Sequence, residues 1–222
     1  MKAMILAAGR GKRLRPLTDL IPKPLVTVAG KPLIVYHIEK LAAAGIREIV
    51  INHAWLGHKL VETLGDGSQW QVNIQYSAET SALETGGGIK QALNLLGDEP
   101  FLVINGDIFI DRLPEIAPLD SGMLAHLWLV DNPSQHPDGD FALAEGKVSE
   151  HGTEKLTFSG MGIYHPKLFD NTPEGAFALA PLLRTAMKLQ RVSGGHFKHF
   201  WCDVGTIERH TQIEVRESNK VK

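Results

Sequence analysis

The apolar run Ala3 to Ala7 breaks off into two glycines and a train of cations: Leu6-Ala7-Ala8-Gly9-Arg10-Gly11-Lys12-Arg13-Leu14-Arg15-Pro16. The run reads as a buried first strand, and the glycines let the backbone that follows approach a ligand closely. Between residues 10 and 31 stand six basic side chains (Arg10, Lys12, Arg13, Arg15, Lys23 and Lys31) and one acid, Asp19. The chain as a whole carries a net charge of −2, so this excess of cations is local. A glycine-rich loop leaving a strand and loaded with cations suits a polyphosphate.

Two familiar phosphate loops do not fit. A dinucleotide fingerprint needs a third glycine three residues after the second, where Leu14 stands. It should also open into a helix, which Pro16, Pro22 and Pro24 oppose. A Walker A loop needs a glycine five residues before its Gly-Lys pair and a Ser or Thr after it; Leu6 and Arg13 occupy those places.

The stretch Leu6 to Thr18, followed by Pro22-Lys23-Pro24-Leu25, resembles the N-terminal signature of the sugar-phosphate nucleotidyltransferases, Leu-Ala-Ala-Gly-x-Gly-x-Arg-Leu-x-Pro-Leu-Thr and then Pro-Lys-Pro-Leu. The resemblance continues in Leu83-Glu84-Thr85-Gly86-Gly87-Gly88-Ile89, in Asn105-Gly106-Asp107 and in Trp201-Cys202-Asp203-Val204-Gly205-Thr206. It implies an α/β, Rossmann-like three-layer fold, a mostly parallel central sheet with helices on both faces. Larger relatives append a β-helix of hexapeptide repeats; no such repeat is present here, and residues 1–222 are expected to form one catalytic domain.

Composition agrees with that class. The 222 residues are 43% hydrophobic and 22% charged, enough for one substantial core. The net charge argues against nonspecific nucleic-acid binding. The single cysteine, Cys202, excludes an internal disulfide and fits a reducing compartment. No apolar run reaches the roughly 18 residues of a membrane span. A cytoplasmic location, with no membrane or nucleic-acid partner, is expected.

Periodicity gives the order of elements. Helical spacing runs over 33–44, 56–64 and 88–96, each closed by glycine, and strands are predicted over 48–52, 72–76 and 101–104. Such alternation predicts a parallel sheet whose ligands bind beyond the carboxyl ends of its strands. The basic loop and whatever follows Ile104 therefore share a rim. Further on, the pattern predicts strands at 123–130, 156–164 and 196–202, a hairpin at 141–148 and an exposed loop at 132–140. It also predicts a helix from Ala180-Pro181 with Leu182, Leu183, Ala186 and Leu189 inward, and a C-terminal helix capped by Thr206.

Joining a nucleoside triphosphate to a sugar 1-phosphate needs no general base, because the attacking phosphate oxygen is already ionised. The difficulty is repulsion between two polyanions held in line, which cations and Mg²⁺ relieve. Mg²⁺ prefers one or two carboxylates plus phosphates and water. Asp107 and Asp203 each follow a predicted strand, and the resemblance implies that both are metal ligands. By the same resemblance Arg13 contacts the β- and γ-phosphates and Lys23 the α-phosphate or the sugar phosphate. Ala8, Gly9, Gly11 and Lys12 are expected along the nucleotide, and Glu79, Thr85 and Gly87 around the base, although Glu84 stands where many relatives have glycine. Asn105, Asp140 and Gly160 fall on the sugar side. Arg10 holds a variable position and is given no role. His196 and His199, three apart in a predicted strand, face opposite sides and cannot chelate one ion.

The short length and the Leu83–Gly88 stretch most resemble relatives that pass UMP from UTP to N-acetylmuramate 1-phosphate in cell-wall (peptidoglycan) recycling, releasing pyrophosphate. The alternatives are a mannose or glucose 1-phosphate nucleotidyltransferase using GTP, UTP or dTTP, and a non-catalytic nucleotide-sugar sensor.

Overall fold

A computed structural model describes residues 1–220. Strand β1 (Ala3–Leu6) leads through the basic loop and a single helical turn, α1 (Leu17–Leu20), to a two-stranded ribbon of β2 (Thr27–Val28) and β3 (Lys31–Pro32). Helix α2 (Leu33–Ala43), β4 (Glu48–His53), α3 (Gly57–Leu64), β5 (Asn73–Ala78), α4 (Glu84–Leu96) and β6 (Phe101–Asn105) complete the alternating half. Then follow β7 (Ile108–Ile110), β8 (Ala125–Val130), β9 (Phe141–Ala144), β10 (Lys147–Ser149) and β11 (Lys155–Tyr164). The chain ends with α5 (Leu179–Lys188), β12 (Val192–His196), β13 (Trp201–Asp203) and α6 (Ile207–Lys220).

Nine strands form one sheet in the order β5-β4-β1-β6-β11-β8-β12-β10-β9. The first four are mutually parallel, as the strand–helix alternation requires. Strand β11 lies antiparallel between β6 and β8, and β10 also runs against its neighbours, so the sheet is mostly parallel by strand direction. Along β1, Ala3 and Ile5 join the core with α2 and α3 on one face, while Met4 joins α4 and α5 on the other. Both faces are covered, which is why β1 and β6 read as unbroken apolar runs.

Three expectations are corrected. Helix α4 starts at Glu84 and not at Gly88. Its three glycines are packing residues, for a Cβ on Gly86 would stand 2.4 Å from the Phe177 ring and one on Gly87 2.1 Å from the Gly175 carbonyl. The strand expected over 196–202 is two strands in two sheets, β12 in the large sheet and β13 paired with β7. Two glycines in Val192-Ser-Gly-Gly-His196 mask β12 in the sequence. The inward face of α5 is Leu179, Leu183, Ala186 and Met187; the helix stops at Lys188, which leaves Leu189 exposed.

Candidate functional site

Because β1, β4, β5 and β6 run in parallel, their carboxyl ends share one rim, and the loops leaving them enclose a cleft of about 600 Å³. The loop after β1 supplies one wall. Gly11 sits in the left-handed region (φ 66°), and a Cβ there would meet the side chains of Thr18 and Lys23 at 2.9 and 3.0 Å. The Thr18 hydroxyl donates to the Gly11 carbonyl at 2.8 Å, closing the loop on itself. Lys23 is thereby buried, and its Nζ reaches Asp107 Oδ2 at 2.7 Å.

The opposite wall is cross-braced by buried polar groups. Asn52, near the end of β4, accepts the Ala7 N–H at 2.8 Å and donates to Glu79 Oε1 at 2.7 Å. The Leu83 N–H donates to the other Glu79 oxygen at 3.4 Å. Burial raises the Glu79 pKa, against the pull of these hydrogen bonds. Asn52 and Glu79 together therefore tie the loop after β1 to the end of β4 and to the loop after β5. Glu84 takes φ 58° at the lip, a conformation that suits glycine and costs another residue roughly 1–2 kcal/mol.

Asp107 follows Asn105-Gly106 at the end of β6, and Asp203 ends β13. The β7–β13 ribbon pairs Asp203 with Ile108, and the Val204 N–H donates to the Asp107 carbonyl at 2.7 Å. One ribbon thus carries both carboxylates. Asp107 lines the first cleft, whereas Asp203 lines a second, of about 660 Å³, with Arg13, Gln135, Trp201 and Arg209. Asp203 Oδ1 accepts from Arg209 at 2.8 Å and from Gln135 at 3.1 Å. Two oxygen donors at adjoining strand ends fit a Mg²⁺ that takes its remaining ligands from phosphates and water. Among the described residues no group of three or more His, Cys, Asp or Glu gathers as a fuller metal cage.

Beneath the ribbon, His37 of α2 is buried and its Nε2 lies 2.9 Å from the Ile108 carbonyl. Burial lowers its pKa to about 4, so the ring is neutral at physiological pH and holds the backbone next to Asp107. On the side expected to face the sugar, Gly160 adopts φ 80° at a bulge in β11, and a Cβ there would stand 2.7 Å from Asn105 Nδ2. Asn105 opens onto the first cleft. Burial raises the Cys202 thiol pKa, in keeping with an inert packing residue.

Known proteins resemble this chain in sequence and in fold. A model of the nucleotidyl transferase family matches residues 2–119. The N-acetylmuramate alpha-1-phosphate uridylyltransferase of Neisseria meningitidis serogroup B is 54% identical, over 97% of each chain. The chain belongs to the nucleotidyl transferase family. The enzyme of the same description from Caulobacter vibrioides is 35% identical over 96% of each chain. A mannose-1-phosphate guanyltransferase from Yarrowia lipolytica is 44% identical over 70% of this chain but only 43% of its own. Among solved structures, a UDP-glucose pyrophosphorylase complexed with UDP-glucose superposes with a TM-score of 0.79 at 21% identity, covering 99% of this chain and 98% of the other.

Within this nucleotidyl transferase, Ala8, Gly9, Lys23, Glu79, Thr85, Asn105 and Asp107 come together on the first cleft, and Arg13 and Asp203 on the second. Lys12 points to solvent. Gly87 is turned away, with its N–H on the Phe177 carbonyl. Asp140 is engaged elsewhere, accepting the Phe158 N–H at 2.8 Å and lying 3.0 Å from His136 Nε2, so it fastens the 132–140 loop to β11. Four residues to which the sequence assigned no role also line the clefts. Arg10 lies flat on Trp55 at 3.4 Å, and the indole N–H donates to the Thr18 carbonyl. Asn52 is a polar residue at a strand's carboxyl end, the same signal that marks Asp107. Arg209 is a cation in the first turn of α6, where the helix dipole disfavours one.

Proposed function

We propose that this nucleotidyl transferase passes UMP from UTP to N-acetylmuramate 1-phosphate, with Mg²⁺, in the cytoplasmic recycling of cell-wall sugar. The observation that carries the reading is the 54% identity, end to end, with the meningococcal uridylyltransferase. The guanyltransferase relative matches less than half of its own length, which favours the uridylyl reading.

A phosphate oxygen of the sugar 1-phosphate attacks the α-phosphorus of UTP. The bond from that phosphorus to the α–β bridging oxygen breaks, and its electron pair leaves on pyrophosphate. The nucleophile is already an anion, so the chain has no proton to remove. Lys23, fixed by burial with its Nζ on Asp107, offers a positive charge where the two phosphates meet. Arg13 takes the β,γ end. Asp107 and Asp203 would hold Mg²⁺, which supplies neutralisation of the developing charge on the leaving group. The Asn52–Glu79 brace keeps the base wall at a fixed distance from the loop.

The test measures pyrophosphate release with UTP, dTTP, GTP and CTP crossed against N-acetylmuramate, mannose and glucose 1-phosphates. Release with UTP and the muramate supports the reading. Release only with another pair replaces the substrate, and none from any pair rejects the activity.

A further inference from the structure

Each candidate metal ligand is already neutralised by a cation of its own chain: Lys23 on Asp107 at 2.7 Å and Arg209 on Asp203 at 2.8 Å. The second pair is the less expected. Arg209 is anchored in the first turn of α6, its side chain 12% exposed, with a buried Nε that has no partner. Gly205 leaves room for it. A Cβ at Gly205 would stand 2.4 Å from Arg209 Nη2, 2.9 Å from Asp203 Oδ2 and 3.1 Å from Arg13 Nη2. Two guanidiniums therefore converge on one point with a single carboxylate between them. Glu208 and Arg216 also line this cleft, but Arg216 is committed to Asp111.

A carboxylate that trades its guanidinium for a divalent cation releases that guanidinium. A buried arginine with unmet donors beside a second arginine then seeks an anion, and the fork of N–H groups matches phosphate oxygens. We propose that Arg209 is an exchange cation: it occupies Asp203 until a divalent metal takes that carboxylate, and then turns with Arg13 to hold the pyrophosphate end of the nucleotide. The inference rests on the nucleotidyl transfer proposed above. It adds a pyrophosphate-binding residue outside the N-terminal loop, and it makes metal and pyrophosphate binding depend on one side chain with opposite signs.

That opposition is the test. Mn²⁺ binding to the nucleotide-free protein, and binding of inorganic pyrophosphate in saturating Mn²⁺, are measured by calorimetry for wild type, Arg209→Gln and Arg209→Lys. Thermal melting checks that each variant is folded. With its competitor removed, Arg209→Gln is expected to bind Mn²⁺ several-fold tighter, while pyrophosphate binding weakens about tenfold. Arg209→Lys keeps the charge but loses the fork, and is expected to restore wild-type Mn²⁺ affinity with pyrophosphate only partly recovered. Weakening of both ligands in Arg209→Gln would mean that Arg209 merely supports Asp203, and would overturn the exchange. No change in either would also overturn it. If the wild type releases pyrophosphate from no substrate pair, the parent reading fails; opposite results for Arg209 in an active enzyme reject the exchange alone.

Discussion

The two clefts are built differently although one ribbon joins them. The first is braced from the strand ends of a parallel sheet. Asn52, Glu79 and Ala7 are linked by buried hydrogen bonds, and Gly11 and Thr18 close their loop against Lys23. The second is assembled from side chains that arrive late in the chain, Arg209 from α6 and Gln135 from the 132–140 loop, meeting at Asp203. Buried, low-dielectric hydrogen bonds fix a geometry, whereas the Arg209–Asp203 ion pair, 12% and 27% exposed, can exchange one ionic partner for another. The first cleft is therefore the more rigid of the two and suits the proposed nucleotide seat, and the second suits the proposed exchange of charge.

The largest effects should fall where the two clefts meet. Asp107→Asn and Asp203→Asn each leave backbone and volume intact but remove an anionic oxygen from a two-carboxylate set. Each is expected to lower kcat by about a thousandfold or more, with the melting temperature little changed. Near-normal turnover in Asp107→Asn would remove it from the metal set. A large loss in Asp107→Asn with none in Asp203→Asn would confine the chemistry to the first cleft and break the comparison.

Lys23 and Lys12 separate position from mere charge. Both belong to the same basic loop, but Lys23 is buried and aimed at Asp107 while Lys12 is solvated. In pyrophosphate-release assays Lys23→Ala should reduce kcat/KM by about a hundredfold or more, and Lys12→Ala by less than about threefold. Equal losses would show that the loop acts as a diffuse field.

The brace itself is tested by Asn52→Ala. That change strands a buried Ala7 N–H and removes the donor to Glu79 Oε1, at a cost of roughly 2–3 kcal/mol in urea unfolding. Because the base wall would loosen, KM for UTP should rise more than kcat falls. A stable variant with unchanged KM would mean that the first cleft does not depend on its buried links.

How much of this was legible in the sequence follows from the same contrast. The first half declared itself: unbroken apolar strands alternate with helices, and rim residues such as Asp107 come directly off strand ends. Two of the failures trace to glycine. Gly86–Gly88 look like a turn because their reason for lacking a Cβ, contact with Gly175, Phe177 and Glu79, is tertiary. The same blindness hid β12, whose glycines let Gly194 approach the Leu127 carbonyl. Asp140 carries a family position in the sequence, yet its oxygens serve the Phe158 N–H and His136. No pattern within one segment reports a partner supplied by another. Arg209 is the exception, since a cation against the helix dipole is a local oddity that carries a message.

The smallest effect concerns the support beneath the ribbon. His37 has a pKa of about 4 in the folded protein, against about 6.5 when unfolded, because burial penalises the charged ring. Between those values the unfolded chain binds a proton that the folded chain refuses, so stability rises with pH across this window. It is lost as pH falls from 6.5 towards 4. At pH 5 the group should cost about 2 kcal/mol relative to pH 7. His37→Gln keeps a side-chain N–H that can reach the Ile108 carbonyl but cannot titrate. Urea midpoints for wild type and variant, compared at pH 7 and pH 5, should show the wild type losing more by about that amount. An equal loss in both would mean that the ring is already charged, or reached by water, when folded. The ribbon carrying Asp107 and Asp203 would then rest on a softer base than the buried braces of the first cleft.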